Sequence, residues 1–465
     1  MQQAIAKLKF ASACRKVKRR KIMENQNVYA KPVTFHNILK FAVPTIAMTV
    51  FMSFYSMVDG LFVSNLIGTK ALSAVNLTAP LIQFVTAVST MLAAGGSAVI
   101  MKKMGEGKER EAREDFTFLI LVNAAVGLAM CALGYGVMDQ VFAVFGLSPD
   151  VSGYCREYLS RYLLFTVPIL LMNNFSLYMI GSGRASLSFV CSVAGGVLNM
   201  ALDYLFLGVF HMGIGGAAVA TGLGYSVTAV AGVLVFCKES SFLHFVRPAF
   251  RPKVLILAAS NGSSEMAGAL VTGIVTLVFN WMMLKVAGEE GVAAVTIIMY
   301  VLMFASSLYT GYSYGVAPML SFYFGEGNAD KLKKVVAVSL KVIAAISLLT
   351  AAASFAFTEP MVAVFARPGN PVYALAVTGN KICTAALLFI GFNIFGSGMF
   401  TALSNGGVSA LLAFSRSFVF MLAMLILLPL LLGVNGIWLA TPAAEFLSFV
   451  LSGCLFFKYR KRYGY

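Results

Sequence analysis

From residue 38 onward the chain is a near-continuous succession of apolar runs, each long enough to cross a bilayer. A helix needs about 20 mostly apolar residues to span the hydrocarbon core, and inside that core every backbone N–H and C=O must be satisfied within the segment itself. Only helices or a closed barrel meet that condition. The runs are too long and too evenly apolar for the alternating pattern of barrel strands, so they read as helices. Twelve are expected: 38–66, 71–99, 115–138, 158–181, 186–208, 213–237, 258–287, 291–320, 335–357, 373–402, 407–432 and 436–457. Together they define an all-α integral membrane protein. No stretch remains for a soluble catalytic domain. The P-loop pattern G-x-x-x-x-G-K-[ST] is absent, so uphill work would have to draw on an ion gradient.

Charged residues make up only 12% of the chain, against about 25% in soluble domains, and they mark topology. Alternate connections are basic: Lys102, Lys103, Lys108, Arg110 and Arg113; Lys238, Arg247, Arg251 and Lys253; Lys331, Lys333 and Lys334. The final segment adds Lys458, Arg460, Lys461 and Arg462. By the positive-inside rule both termini are expected in the cytoplasm, with the protein in the cell's inner (plasma) membrane. The net charge of +16 then needs no nucleic acid partner. Eight Lys or Arg residues lie between Lys7 and Lys21, just before Met23, and Met23 is an alternative start. The seven cysteines are scattered without C-x-x-C spacing, and read as small core residues.

Displaced by 220 residues, the sequence meets itself three times. "GTKALSAVNL" from Gly68 aligns with "GEEGVAAVTI" from Gly288, "GGSAVIMKKMGEG" from Gly95 with "GVAPMLSFYFGEG" from Gly315, and "GIGGAAVAT" from Gly213 with "GVNGIWLAT" from Gly433. One register serving all three implies two six-helix lobes. Six is even, so the lobes enter the membrane in the same sense, related by a pseudo-twofold axis along the membrane normal. That is a transporter architecture with a site expected between the lobes. The expected division is a tail 1–37, a first lobe 38–237, a linker 238–257, a second lobe 258–457 and a tail 458–465.

Within these runs acids are scarce. A charge at bilayer depth costs about 2.5–3.5 kcal/mol even on insertion scales, so each needs a reason. Asp203 lies nine residues before the turn near Met212 and Thr221 nine after it, while Asp59 lies nine before Gly68. At about 1.5 Å per residue all three sit roughly 13 Å from the outer surface, close to mid-membrane. Asn199 is four residues from Asp203, on the same helix face. Two carboxylates, an amide and a hydroxyl suit a hard cation. Adjacent carboxylates also resist being ionised together, so either sodium or a proton fits. The plainer alternative is hydrogen bonding between helices. At the 220 offset Asp59, Asn199 and Asp203 become Phe279, Val419 and Ala423, and only Thr221 keeps its partner, Thr441. A cation site would then belong to the first lobe alone. Glu445 is the third deep acid, and Arg416 is a buried cation expected toward the cytoplasmic end of its span. The abundant Met and Phe could line an adaptable cavity, although most must face lipid or pack helices.

The segments "NMALDYLFLGVFHMGIGGAAVATG", "GVAPMLSFYFGEGNADKLKK" and "GVNGIWLATPAAEFLSFVL" resemble the multidrug and toxic compound extrusion transporters, most closely the bacterial MepA-like and DinF-like members. The resemblance covers nearly all of 38–457. It implies twelve helices in two lobes and efflux of organic, often cationic, compounds against inward sodium or protons, with no cofactor. The implied partners are membrane lipid and small organic molecules, and a single chain is expected to suffice. It places a first-lobe cation site on Asp59, Asn199, Asp203 and Thr221. Some relatives carry a second-lobe acid in mid-helix seven. Here Glu265 lies nearer the cytoplasmic end and is expected at a lobe boundary, which leaves Glu445 as the second-lobe candidate. A lipid-linked oligosaccharide flippase is the alternative function, with Arg184 and Arg416 as phosphate ligands. No paired His, Cys-His or Ser-His arrangement points to an enzyme.

Overall fold

The computed structural model describes residues 28–67, 69–144, 149–238 and 241–465; the basic run from Lys7 to Lys21, Met23 and Gly68 lie outside the described residues. The described elements are helical throughout. In the first lobe they are α1 (Phe35–Leu66), α2 (Thr69–Gly105), α3 (Glu109–Val144), α4 (Pro149–Leu163 and Thr166–Gly181), α5 (Ala185–Val209) and α6 (Ile214–Phe236). The second lobe begins with one 75-residue stretch, Pro252–Glu326. At 1.5 Å per residue it would measure about 110 Å, far more than a single crossing of a core about 30 Å thick. Gly288, at φ 65° and ψ −159°, breaks it into α7 (252–287) and α8 (289–326). The Tyr314 hydroxyl on α8 donates to Glu265 on α7 at 3.3 Å, so the halves fold back on each other. There follow α9 (Ala329–Ala356), α10 (Pro371–Ala402), α11 (Gly406–Leu432) and α12 (Val434–Tyr463). All twelve expected spans are found.

Local chemistry sets the breaks. The two parts of α4 meet at 53°, where Pro168 has no N–H to offer the carbonyl of Leu164. Asn328 caps α9 through Lys331 N at 3.1 Å, and Pro252 opens α7 in the first turn, where its missing N–H costs nothing. The tightest connections use left-handed glycines, and they repeat: Gly107 (φ 75°) with Gly327 (φ 70°), and Gly213 (φ 67°) with Gly433 (φ 57°), both 220 residues apart.

Glycines also let the lobes meet. A Cβ on Gly105 of α2 would lie 2.0 Å from Phe322 O of α8, and one on Gly325 of α8 would lie 2.0 Å from Lys102 O of α2. This pair of contacts is itself related by the 220 offset, so the pseudo-twofold axis passes through the α2–α8 crossing. Gly95 meets Ala258 O and Gly262 meets Met91 O, each at 1.9 Å, where α2 crosses α7. These contacts lie toward the end of the bundle that carries the basic connections. There a single apolar core spans both lobes, including Phe116 and Tyr178 of the first and Tyr312 and Phe400 of the second. Away from that end each lobe keeps a core of its own. The lobes are therefore joined at the basic end and part toward the other.

Two further elements brace the joint. Tyr29 donates to Gly181 O on α4 at 2.5 Å, stacks on Phe322 of α8, and its carbonyl accepts from the Tyr323 hydroxyl at 3.2 Å. The connection before α7 docks on α3. Arg251 binds Glu114 at 2.8 Å and the fully buried Asp115 at 3.3 Å; Lys103 also pairs with Asp115.

Candidate functional site

Small residues bring α1, α5 and α6 close enough for their polar side chains to meet. A Cβ on Gly195 would lie 2.5 Å from Gly224 O across the α5–α6 contact, and one on Gly196 would lie 2.6 Å from the Phe51 ring on α1. One turn further along α5 is Asn199, fully buried, whose Nδ2 donates to Thr221 Oγ1 of α6 at 3.3 Å. One more turn on is Asp203, also fully buried. It is the last residue of regular α-helix before a π-helical turn, Tyr204–Val209. Such turns recur at functional sites because they re-aim side chains within a helix. The carboxyl of Asp59, from α1, lies within hydrogen-bonding reach of Asp203. All four residues singled out from depth and spacing therefore gather in one place.

Their acceptors are not satisfied by the protein. Asp59 Oδ1, Asn199 Oδ1 and both carboxylate oxygens of Asp203 are buried without a hydrogen-bond donor. Buried polar groups are ordinarily paired, and an unpaired buried carboxylate is among the most expensive. Four neighbouring acceptors lacking donors are chemically suited to a positive species. Sodium fits by ligand type, and a proton shared between the carboxyls fits equally well.

Tyrosines that the sequence reading passed over complete the shell. Tyr55 and Tyr225 adjoin each other beside Asp59, and Tyr158 adjoins both carboxyls and stacks on Tyr162 at 6.1 Å. The signal was available: Tyr55 is one helical turn before Asp59, and Tyr225 one turn after Thr221.

The second lobe holds a different constellation around a cavity of about 500 Å³. Its walls come from α7, α8, α10, α11 and α12, with Gln83, Thr86 and Thr90 of α2 closing the side toward the first lobe. Glu445, Arg416 and Glu265 all line it. Arg416, expected toward the basic end of its helix, lies in a π-helical turn, Ser415–Phe420, and its Nε donates to both Glu445 oxygens at 2.8 and 3.0 Å. Asn393 Nδ2 holds Glu445 Oε2 at 2.7 Å, and Ser452 fixes Asn393 Oδ1 at 3.2 Å. Glu265 lies toward the lobe boundary, where it also borders the small space beneath the cavity. Arg184 is not among the described lining residues. Neither is any phenylalanine, and the only methionines there are Met299 and Met421, while nearly half of the lining side chains carry a hydroxyl. Met and Phe therefore contribute little to this lining, as follows if most of them pack helices or face lipid. The large rings are taken up in packing between helices, as in the fully buried Phe279, Phe395 and Phe400.

The family whose model matches the chain is MatE, over residues 44–205 and again over 266–427, one match in each lobe. The chain is similar to the multidrug export protein MepA of Staphylococcus saprophyticus, at 21% identity covering 90% of this chain and 91% of that protein. It is also similar to the MepA of Staphylococcus haemolyticus, at 23% identity covering 92% and 94%. Among solved structures it resembles an outward-facing multidrug resistance MATE family transporter of the MOP superfamily, with TM-score 0.85, 22% identity and coverage of 91% and 96%. A MATE protein in complex with MaL6 is similar at TM-score 0.86 and 22% identity, covering 91% and 95%.

Proposed function

The chain belongs to the MatE family of multi-pass membrane transporters, and from that premise we propose that it is a secondary active multidrug exporter. In this reading it moves organic, positively charged compounds out of the cell in exchange for sodium or protons. It lies in the cell membrane with both termini and the basic connections in the cytoplasm. The observation that carries the proposal is the set of four buried, donorless oxygens on Asp59, Asn199 and Asp203. Two carboxylates held together without a counter-charge repel each other, and a cation entering from outside relieves that repulsion. The gain exists only in a conformer that holds α1 against α5 and α6. Ion binding therefore biases the lobes toward one arrangement, and exchange follows when substrate favours the other.

The flippase alternative finds no support in the cavity. Arg416 is the single cation among its described lining residues, and Glu445 already neutralises it. A pyrophosphate there would face two carboxylates and one compensated guanidinium.

The test is dye movement in inverted vesicles under an imposed sodium or pH gradient, comparing the parent with Asp59→Asn and Asp203→Asn. The parent should move a cationic dye only while one of the gradients lasts, and each substitution should abolish that dependence. Gradient-driven movement that survives both substitutions refutes the assignment.

A further inference from the structure

The connection from α6 to α7 holds one aromatic ring outside the protein. Phe250 is 83% exposed, the highest value for a large apolar side chain among the described residues. Its segment is nevertheless firmly placed on α3. Val246 N donates to Thr117 Oγ1 at 3.1 Å, Arg113 Nε donates to Phe242 O at 3.3 Å, and Arg251 is bound by Glu114 and Asp115. Pro248 and Pro252 limit the backbone on either side. The Phe250 ring meets Phe118 of α3 edge to face, with centroids 5.7 Å apart. Phe118 stands one turn toward the basic end from Leu121, and Lys253 one turn from Ile256 and Leu257 of α7. Leu121, Ile256 and Leu257 are 54–66% exposed on helices that cross the membrane. Phe250 therefore sits where the hydrocarbon layer begins.

The cations of this region differ in what they have to bind. Lys103, Arg110, Arg113 and Arg251 pair with Glu109, Glu111, Glu114 and Asp115 of α3, so those acids are all engaged. Arg247 and Lys253, three residues to either side of Phe250, are exposed, and among the described residues neither forms an ion pair. Two uncompensated cations around a ring at the hydrocarbon boundary fit an anionic phosphodiester that carries acyl chains. We propose that the α6–α7 connection is a binding site for an anionic phospholipid of the leaflet at the basic end. Arg247 and Lys253 take the headgroup phosphate, and Phe250, Ile256 and Leu257 lie along an acyl chain. Basic residues beside a membrane favour anionic lipid by about fivefold for each charge, and aromatic rings favour this depth. A free phosphate leaves the ring unused, and a second copy of the chain docking through the same face brings like charges together. The site lies on the covalent tie between the lobes and does not depend on what the protein exports.

Phe250→Trp places a reporter at the ring, in a Trp281→Phe background where the buried Trp438 is the only other indole. The full chain is reconstituted in vesicles of dioleoylphosphatidylcholine with rising fractions of dibrominated phosphatidylglycerol or dibrominated phosphatidylcholine. Brominated chains quench an indole that they touch, and the two curves give the relative affinity of the lipids. The anionic lipid should be preferred about fivefold or more, and the preference should fall at high salt. Inorganic phosphate should displace it no better than sodium chloride at equal ionic strength. Arg247→Gln combined with Lys253→Gln should bring the ratio close to one, and each single change should give an intermediate ratio. Lys333→Gln with Lys334→Gln, an equally exposed basic pair at the start of α9, should leave the ratio unchanged. Equal quenching by the two lipids, or a preference that survives the double change at Arg247 and Lys253, overturns the inference. An equal loss in the Lys333 and Lys334 control reduces the effect to general surface charge and overturns it as well. An indole that neither lipid quenches also overturns it and puts protein over the ring, a second copy of the chain if chemical cross-linking yields a dimer.

Discussion

Gly95→Ala adds one methyl group where α2 crosses α7, and the structure fixes what it meets. An ideal Cβ at Gly95 lies 1.9 Å from Ala258 O and 2.7 Å from Gly262 N, both backbone atoms that cannot rotate away. Restoring ordinary contact at about 3.4 Å requires the two helices to separate by about 1.5 Å at this point. Overpacking of this kind costs about 1–3 kcal/mol. The whole cost falls on the arrangement in which the lobes are joined at the basic end, since that arrangement alone makes the contact. The equilibrium between joined and separated lobes should therefore shift by about 5- to 150-fold toward separation. Spin labels at Lys108 and Asp330, exposed on the basic connections of the two lobes, report this by pulsed electron double resonance in a background where the exposed Cys237 and Cys454 are replaced. The short-distance population should shrink in Gly95→Ala. It should stay unchanged in Gly136→Ala, where the same methyl meets nothing within 4 Å. A parent-like distance distribution for Gly95→Ala would refute the claim that glycine-mediated backbone contact sets lobe closure.

Further outcomes follow from the same structure. Sodium or acid should raise the parent's melting temperature, because a cation at a hundred times its dissociation constant adds about 2.7 kcal/mol; Asp203→Asn should lose that response while still folding. Gly213→Ala should cost about 1–3 kcal/mol in denaturation measurements, since φ 67° with ψ −166° is a region essentially reserved for glycine. Arg251→Ala should lower stability by about 1–3 kcal/mol, because Glu114 loses a charged hydrogen bond and the buried Asp115 keeps only Lys103.

What the sequence made legible is what simple periodicity and depth determine. Twelve spans follow from runs that have no other way to satisfy their backbones, and Asp59, Asn199, Asp203 and Thr221 follow from counting residues to the outer turns. The repeat surfaced because positions such as Gly107 and Gly327 need a left-handed backbone and so resist substitution. Rotation and local winding of the helices were not legible. No residue pattern announces the π turns at Tyr204–Val209 and Ser415–Phe420, yet the second carries Arg416 to Glu445, 29 residues away in sequence. By position Asp115 is an acid at the start of the expected span 115–138. It is fully buried because Arg251 crosses from the connection before α7 to meet it, a contact that only the tertiary arrangement creates.

The two lobes share a scaffold and divide the chemistry. In the second lobe the place of Asp59 is taken by Phe279, 1% exposed and 6.4 Å from the Trp438 ring, so aromatic volume fills the region where the first lobe gathers carboxyls. In the proposed exchange, ion and compound would occupy different lobes and need a physical link between them. Thr86 supplies one. It lines the second-lobe cavity from α2 and also lies beside Tyr162, which stacks on Tyr158 near Asp59 and Asp203. A cation that drew the two carboxyls together would shift this tyrosine pair, and the shift would reach the cavity wall at Thr86. Thr86→Val keeps the side-chain shape and removes the hydroxyl. It should leave the cation's effect on melting temperature near the parent value, while weakening the cation's effect on dye affinity, measured against the variant's own ion-free affinity, by about 0.5–2 kcal/mol, or roughly 2- to 30-fold. Titrating a cationic fluorescent dye with and without the ion measures that linkage directly. Parent-like linkage in Thr86→Val would mean that the lobes communicate through their glycine contacts alone, with the tyrosines serving only to shield the carboxyls from water.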